Sequence, residues 1–381
     1  MKITNIETIL APRGSRNLVF VKVHTDEGIT GIGEAYSCGP ELATVEVIRD
    51  FETWLVGEDP RNVEHIWQKL YNYTRFPFGP VNMAAISGIE HCLWDIKGKA
   101  LGVPAWHLLG GKCRDKVRVY QSCGGSTPEQ CAESALGLIE KYGYTCLKMG
   151  PYSGTTRVDI TGEWLRDAEQ RLAAVRKAVG DDIDIGVDIH ARLREPIRAI
   201  QTADVLKPHR PFFIEEPIRP ENIGAMAEVK QKMMVPLATG ECLTTKFQFL
   251  DLLQQKAADI LQPDICLVGG MLECKKIAAM AEAFCVPIAP HNPLGPVATA
   301  VSVHFAVSTP NFLVLEYIPD DSPGRRDLVQ EPLMVEDGFI PVPEKPGWGI
   351  ELNDEYLEKD SGYRPWHRSF VTNEDGSVGF V

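Results

Sequence analysis

Six ionisable residues stand at nearly even intervals along the second half of the chain. They are Asp188, Glu215, Glu241, Asp264, His291 and Glu316, and the steps between them are 27, 26, 23, 27 and 25 residues. The first three are carboxylates. Brought together without a counter-ion they would repel one another and drive their pKa values upward. A hard divalent cation removes that cost, and Mg²⁺ is the usual partner of an all-oxygen ligand set. Asp188, Glu215 and Glu241 are therefore the candidate metal ligands. Asp264 and His291 form a different kind of pair. A carboxylate on one ring nitrogen fixes the imidazole tautomer and raises the basicity of the other nitrogen, which makes a general base. The plainer alternative is a buried His–Asp hydrogen bond without chemistry. His190 follows Asp188 by two positions. Side chains alternate along a strand, so the two are expected on one side, with the imidazole beside the metal; the plainer alternative is a satisfied core histidine. Glu316 either binds a substrate oxygen or supports a neighbour. Lys148 either neutralises a substrate carboxylate or pairs with Asp188, and Arg192 is a further candidate substrate contact. The remaining histidines (His24, His65, His91, His107, His209, His304 and His367) read as structural or solvated groups on helices and loops.

An interval of about 25 residues is the length of one strand–helix unit, so the six residues fall at one height around a ring. From Lys116 onward, short β-rich runs alternate with helical runs, the pattern of a parallel sheet wrapped by helices. Strands are expected at 117–121, 145–149, 183–189, 212–215, 236–240, 259–262, 286–289 and 312–316. Eight such runs suggest a closed barrel whose carboxyl-end mouth carries the chemistry. The first 115 residues read differently, as an α+β unit. Strands at 17–23 and 29–34 flank a turn at Thr25–Gly28, and helices follow at 41–56, 62–73 and 81–101. The predicted organisation is a capping domain over 1–115, a barrel over 116–325, and a segment over 326–381, rich in Pro and Gly, that returns to the capping domain.

Composition narrows the function classes. Among 381 residues, 44% are hydrophobic and 24% charged, normal for a chain with a real core. The formal net charge of -13 argues against nucleic acid and anionic membrane surfaces as partners. A small anion still binds where a metal, Lys or Arg reverses the local field. Ten cysteines occur without a CxxC pair, and Cys123, Cys146, Cys266 and Cys285 lie in or beside apolar runs. That usage suits a reducing cytoplasm better than a disulfide framework. The first residues have no signal-peptide shape, and no apolar run spans a bilayer.

Together these residues resemble the enolase superfamily in its mandelate-racemase-like branch, and within it the acid-sugar dehydratases akin to galactonate dehydratase. The resemblance spans nearly the whole chain. It is carried by Gly88-Ile89-Glu90, Trp94-Asp95-Ile96-Lys97-Gly98-Lys99, Asp188-Ile189-His190-Ala191-Arg192, Phe213-Ile214-Glu215-Glu216-Pro217, Thr239-Gly240-Glu241, Leu261-Gln262-Pro263-Asp264 and Ala289-Pro290-His291-Asn292-Pro293-Leu294-Gly295-Pro296. It implies a modified (β/α)7β TIM-type barrel under an α+β capping domain, in the α/β class. It implies Mg²⁺ on Asp188, Glu215 and Glu241, a His291–Asp264 base, His190 as general acid, and Glu316 as the carboxylate of the eighth strand. It also implies a small sugar-acid substrate, such as the aldonate galactonate, dehydrated to a 2-keto-3-deoxy acid, and a homo-oligomeric enzyme. Enolase-type sites use a His or Lys base with Mg²⁺ to stabilise an enediolate. Gly150 stands where many relatives carry a catalytic Lys on the second strand. Ala191, Cys242, Asn292 and the loops at 13–17 and 75–79 also depart from the galactonate dehydratase pattern. The same scaffold serves racemases and epimerases of 2-hydroxy acids, with His190 and His291 as opposing bases. A non-catalytic sugar-acid-binding protein is the remaining alternative.

Overall fold

The structure is a computed structural model, and it describes residues 1–14, 16–152, 162–322, 324–365 and 376–378. The first layer is a three-stranded antiparallel sheet of β1 (Ile3–Arg13), β2 (Arg16–Thr25) and β3 (Thr30–Ala35), in that order. Three helices follow, α1 (Glu41–Leu55), α2 (Val63–Tyr73) and α3 (Pro80–Leu101), each within a residue or so of its expected bounds. The long strand β1 precedes the two that the sequence marks. It alternates only loosely between buried and exposed positions, so its pattern is faint.

Two glycines set the packing of this layer. A Cβ at Gly31 would lie 2.1 Å from the Cys92 carbonyl oxygen, and one at Gly33 would lie 2.1 Å from that of Gly88. Only glycine lets β3 approach the backbone of α3 so closely. α3 is buried from Met83 to Ile96 on every face. Its buried positions include Ser87, Glu90, His91 and Asp95 as well as apolar residues, and α3 lies between the sheet and the barrel.

The barrel strands are β4 (Lys116–Cys123), β5 (Cys146–Met149), β6 (Asp184–Asp188), β7 (Phe213–Glu215), β8 (Leu237–Thr239), β9 (Ile260–Leu261) and β10 (Leu315–Glu316). They pair in parallel from β4 to β9, and β10 pairs in parallel with β4. The segment at 286–291 fills the remaining place through single bridges, Leu261 to Ile288, Asp264 to His291 and Ile288 to Phe312. These bridges close an eight-membered ring. Each of the first seven members is followed by an α-helix that leads to the next, and the eighth runs on into the carboxyl-terminal segment, which is the (β/α)7β arrangement. Inside, Tyr120, Cys146, Phe213, Ala238, Ile260, Ala289 and Val314 pack as one cluster. Gly186 leaves room for the Phe213 ring, which would sit 2.5 Å from an added Cβ.

The last segment touches both layers. β11 (Phe339–Pro341) adds antiparallel to β4. Beyond it, the Trp348 amide donates to Asp95 Oδ1 at 2.9 Å and its indole to the Ile32 carbonyl at 3.1 Å. Arg13 pairs with Asp360 at 2.7 Å. Of the four cysteines in apolar runs, Cys285 is exposed, not buried. Among the described residues no helix is long and apolar enough to cross a membrane.

Candidate active site

The ring places its polar residues together at the carboxyl ends of the strands. Asp188 and Glu215 are register partners across β6 and β7. Glu241 comes two residues after β8, on a turn at Gly240, whose amide is held by Glu216 Oε1 at 3.0 Å. One carboxylate oxygen from each of Asp188, Glu215 and Glu241 lies within 4.8 Å of the others. Glu215 Oε2 accepts from Gln262 Nε2 at 2.8 Å. Glu241 Oε2 is buried with no hydrogen-bond partner among the described residues, and the His291 Nε2 stands 3.7 Å away. Burial, and then the charge of Asp188, push Glu215 up to about 8. Burial raises Glu241 also. Asp188 departs from the expected rise: burial opposes its ionisation, but Lys148 and His190 outweigh it and hold the carboxyl below its ordinary range. Three hard oxygen donors within 4.8 Å of one another, two of them pushed up by burial, fit a divalent cation.

Lys148 at the end of β5 is the positive charge already in this ring. Its Nζ lies 3.0 Å from Asp188, 3.0 Å from Glu215 and 2.9 Å from Glu316. Burial opposes ionisation of Glu316, but Lys148 and His291 outweigh it and hold the carboxyl at about 2. Glu316 Oε2 also accepts the Asn292 amide at 3.0 Å, and so ties β10 to the His291 loop.

His291 Nδ1 lies 2.8 Å from Asp264 Oδ2, and the two residues share a parallel bridge. Burial pulls the imidazole down, but Glu241, the Asp264 hydrogen bond and Glu316 outweigh it and push it up to about 10. The His190 Nε2 is 3.2 Å from Asp188 Oδ2, with its side chain 52% exposed. Strand alternation is not the cause. β6 stops at Asp188, and His190 and Ala191 both adopt positive φ, 55° and 53°. A left-handed turn returns the ring to the Asp188 carboxylate.

Lys148, His190, Glu241, His291 and Glu316 line a cavity of about 300 Å³ with Arg16, Tyr36, Gln121, Ser122, Pro293, Tyr317 and Ile318. Asp188 and Glu215 stand behind Lys148, and Asp264 behind His291. A larger cleft, about 510 Å³, opens near Lys230 and Met234 beside the amino ends of β8 and β9, away from the ring. Arg192 is not brought to the cavity. Its guanidinium stacks on the Tyr152 ring at 4.6 Å.

The amino-terminal 110 residues match the family described as mandelate racemase / muconate lactonizing enzyme, N-terminal domain, over 2–110. Residues 130–356 match the enolase C-terminal domain-like family. The chain belongs to the enolase superfamily. It is 35% identical to D-galactonate dehydratase of Ralstonia pickettii and 36% to that of Pectobacterium atrosepticum, over 99% of each chain. An Agrobacterium radiobacter structure described as a putative galactarate dehydratase, with bound sodium and L-malate, superposes with a TM-score of 0.95 at 37% identity over 100% of both chains. A putative dehydratase from Salmonella enterica serovar Typhimurium gives 0.90 at 36% identity, covering 95% of this chain and 99% of its own. Whole-length similarity to dehydratases places this enolase-superfamily chain among the hydro-lyases.

Sequence reasoning missed Arg16 and Tyr36 as individuals, although Arg16 lies in the departing 13–17 loop. Arg16 donates to the Tyr36 hydroxyl at 3.3 Å, and the Tyr36 ring lies 6.2 Å from that of His291. No repeat marks them, because they come from the capping domain. Of the other histidines, His91 and His304 are buried and His24 sits on β2, not on a helix or loop. His367 lies outside the described residues.

Proposed function

We propose that this protein is a Mg²⁺-dependent acid-sugar dehydratase. It would act on an aldonate such as galactonate or on a related sugar acid, and give the 2-keto-3-deoxy acid. The observation that carries this reading is the juxtaposition, at the carboxyl ends of the barrel strands, of the Asp188–Glu215–Glu241 carboxylates with the His291–Asp264 pair, beside a cavity that Glu241 and His291 line. The names of the relatives, and the dicarboxylate in one of them, support a sugar-acid substrate.

Mg²⁺ bound to Asp188, Glu215 and Glu241 would supply Lewis-acid charge for the substrate carboxylate. His291 accepts the C2 proton, with Asp264 holding Nδ1–H so that Nε2 faces the cavity. His190 donates a proton to the 3-hydroxyl as the C3–O bond breaks, and water departs. The C2–H electron pair becomes the C2–C3 double bond, and the enol tautomerises to the 2-keto acid. Each positioned acid or base contributes about 10²–10⁴-fold. Lys148 and Glu316 set the charge and hydrogen bonding at the carboxylate end.

The test is a panel of acid sugars assayed for 2-keto acid formation. EDTA should abolish turnover and Mg²⁺ restore it, and Glu215→Gln should be inactive yet folded. Full activity after exhaustive chelation would overturn the ligand assignment.

A further inference from the structure

The loops that carry Asp264 and His291 each run straight into a barrel helix. The Asp264 loop enters Met271–Ala283 through Gly270, and the His291 loop enters Pro296–Val307 through Gly295. Neither helix has a side-chain cap of its own, so its first amides need acceptors from elsewhere. The capping domain provides both. Glu90 on α3 accepts from the Met271 amide at 2.8 Å and the Leu272 amide at 3.0 Å. Glu34 on β3 accepts from the Gly295 amide at 2.7 Å and the Ala298 amide at 2.9 Å. Both carboxylates are buried, at 2% and 0% exposure. Space is reserved for them. A Cβ at Gly270 would lie 2.3 Å from Glu90 Oε2, and one at Gly295 would lie 2.6 Å from Glu34 Oε1.

We infer that Glu34 and Glu90 are positioning residues for the base, one for each partner of the His291–Asp264 pair, so that the dyad is aligned only while the capping domain is docked. This rests on the reading of that pair as the base. The connection from each carboxylate to the dyad is short and stiff. Asp264 Oδ1 accepts the Cys266 amide at 2.8 Å, and the Asp264 carbonyl accepts from Leu267 and Val268. Gly269, next to the Glu90 clasp, is held on both sides: its amide donates to Ser87 Oγ at 3.0 Å and its carbonyl accepts the Trp67 indole at 2.8 Å. On the other loop, only Asn292, Pro293 and Leu294 separate His291 from the Gly295 amide. The Asn292 side chain donates to the Glu316 carbonyl at 3.0 Å and to Thr299 Oγ1 at 3.2 Å. The two clasps therefore flank the 2.8 Å bond between Nδ1 and Oδ2. A small drift of either loop lengthens that bond, and misplacement of about 1 Å costs on the order of a hundredfold in rate.

Asp95 supplies the control for a merely structural role. It is a buried carboxylate of the same α3, and it accepts from the Ile32 and Trp348 amides, both at 2.9 Å, but touches neither dyad loop. The experiment uses full-length protein with ¹⁵N-labelled histidine. It follows the Nδ1–H resonance of His291, assigned by its loss in His291→Asn, together with kcat, KM and Mg²⁺ affinity. Glu34→Gln and Glu90→Gln should each shift or broaden that resonance. Each should also lower kcat at least about tenfold, leaving KM and the Mg²⁺ Kd within about twofold. Asp95→Asn should lower the melting temperature but leave the resonance in place. Gly295→Ala, whose methyl wedges against Glu34, should reproduce the Glu34→Gln effect and serves where a charge variant fails to fold. An unmoved resonance and unchanged kcat in both glutamine variants and in Gly295→Ala would overturn the clasp alone. A resonance insensitive to Asp264→Asn would instead refute the base dyad, and the clasp with it.

Discussion

In the proposed mechanism His291 would act as a base only as neutral imidazole, and its neighbours work against that form. Burial favours neutrality, but Glu241, Asp264 and Glu316 outweigh it and raise the ring to about 10. A cation on Glu241 would cancel the strongest of the raising charges, so ligand binding and base readiness are coupled at this residue. Asp264 Oδ2 faces Nδ1 and its Oδ1 holds the Cys266 amide, which in the proposed mechanism would make it an orienting residue and not a ligand. Asp264→Asn should therefore lower kcat by about 10²–10⁴-fold while leaving Mg²⁺ affinity nearly unchanged. A collapse of metal affinity, read by isothermal titration calorimetry, would make Asp264 a ligand. Dehydration and racemisation separate at the two histidines. In D₂O, His291→Asn should stop both product formation and C2 hydrogen exchange. His190→Asn should stop product formation and retain exchange, because the C2 proton still leaves to His291. Proton NMR showing exchange retained in His291→Asn and lost in His190→Asn would reverse the acid and base. Inverted C2 stereochemistry without loss of water would replace the dehydratase by a racemase.

The element that carries each residue explains what the sequence could reveal. The six ring residues are legible because one strand–helix unit repeats at nearly constant length, so the spacing encodes the register directly. Strand lengths are less legible. β9 has two residues and the 286–291 segment joins only through single bridges, whereas four-residue strands are expected there. Apolar runs mark the barrel interior, but the hydrogen-bonded ladder is shorter than the run. His190 is brought to the Asp188 carboxylate by a left-handed turn, which a period-two pattern cannot announce. In the capping domain α1 and α2 bury residues at helical spacing, yet the tight seam between β3 and α3 depends on two glycines whose purpose appears only in three dimensions. Gly33→Ala should destabilise the fold by about 1–3 kcal/mol, because its methyl meets a backbone oxygen that cannot step aside. Urea unfolding measures this, and wild-type stability in that variant would show that the seam is not close-packed.

On the scale of the whole molecule, the cavity is a joint product of two layers far apart in sequence. Arg16 and Tyr36 come from the cap, and the remaining lining from the barrel mouth and its following loop. A single sequence carries no signal for such contacts, so the cap's contribution was legible only as a stretch that departs from the galactonate dehydratase pattern. The acidic total is legible, but its consequence is local: three carboxylates are concentrated where the fold must bury them. Glu215 shows the cost. Its pKa is about 8 in the fold against an ordinary 4.5, so the folded state binds the extra proton between those values. Its contribution to stability is fully present below the unfolded value and is lost as the pH rises through about 8. A divalent cation requires the ionised form and releases that proton on binding. Mg²⁺ affinity should therefore rise between pH 6 and pH 8. At a fixed Mg²⁺ concentration the stabilisation is RT ln(1 + [L]/Kd), about 2.7 kcal/mol at a hundredfold excess over Kd. Mg²⁺ should then raise the melting temperature more at pH 8 than at pH 6, with EDTA-treated protein as the reference at each pH. Calorimetry in buffers of different ionisation enthalpy should show proton release at pH 6 and less at pH 8. An equal melting shift at both pH values, with no proton release, would mean that Glu215 is already ionised when the cation arrives, and that burial against Asp188 does not hold its proton.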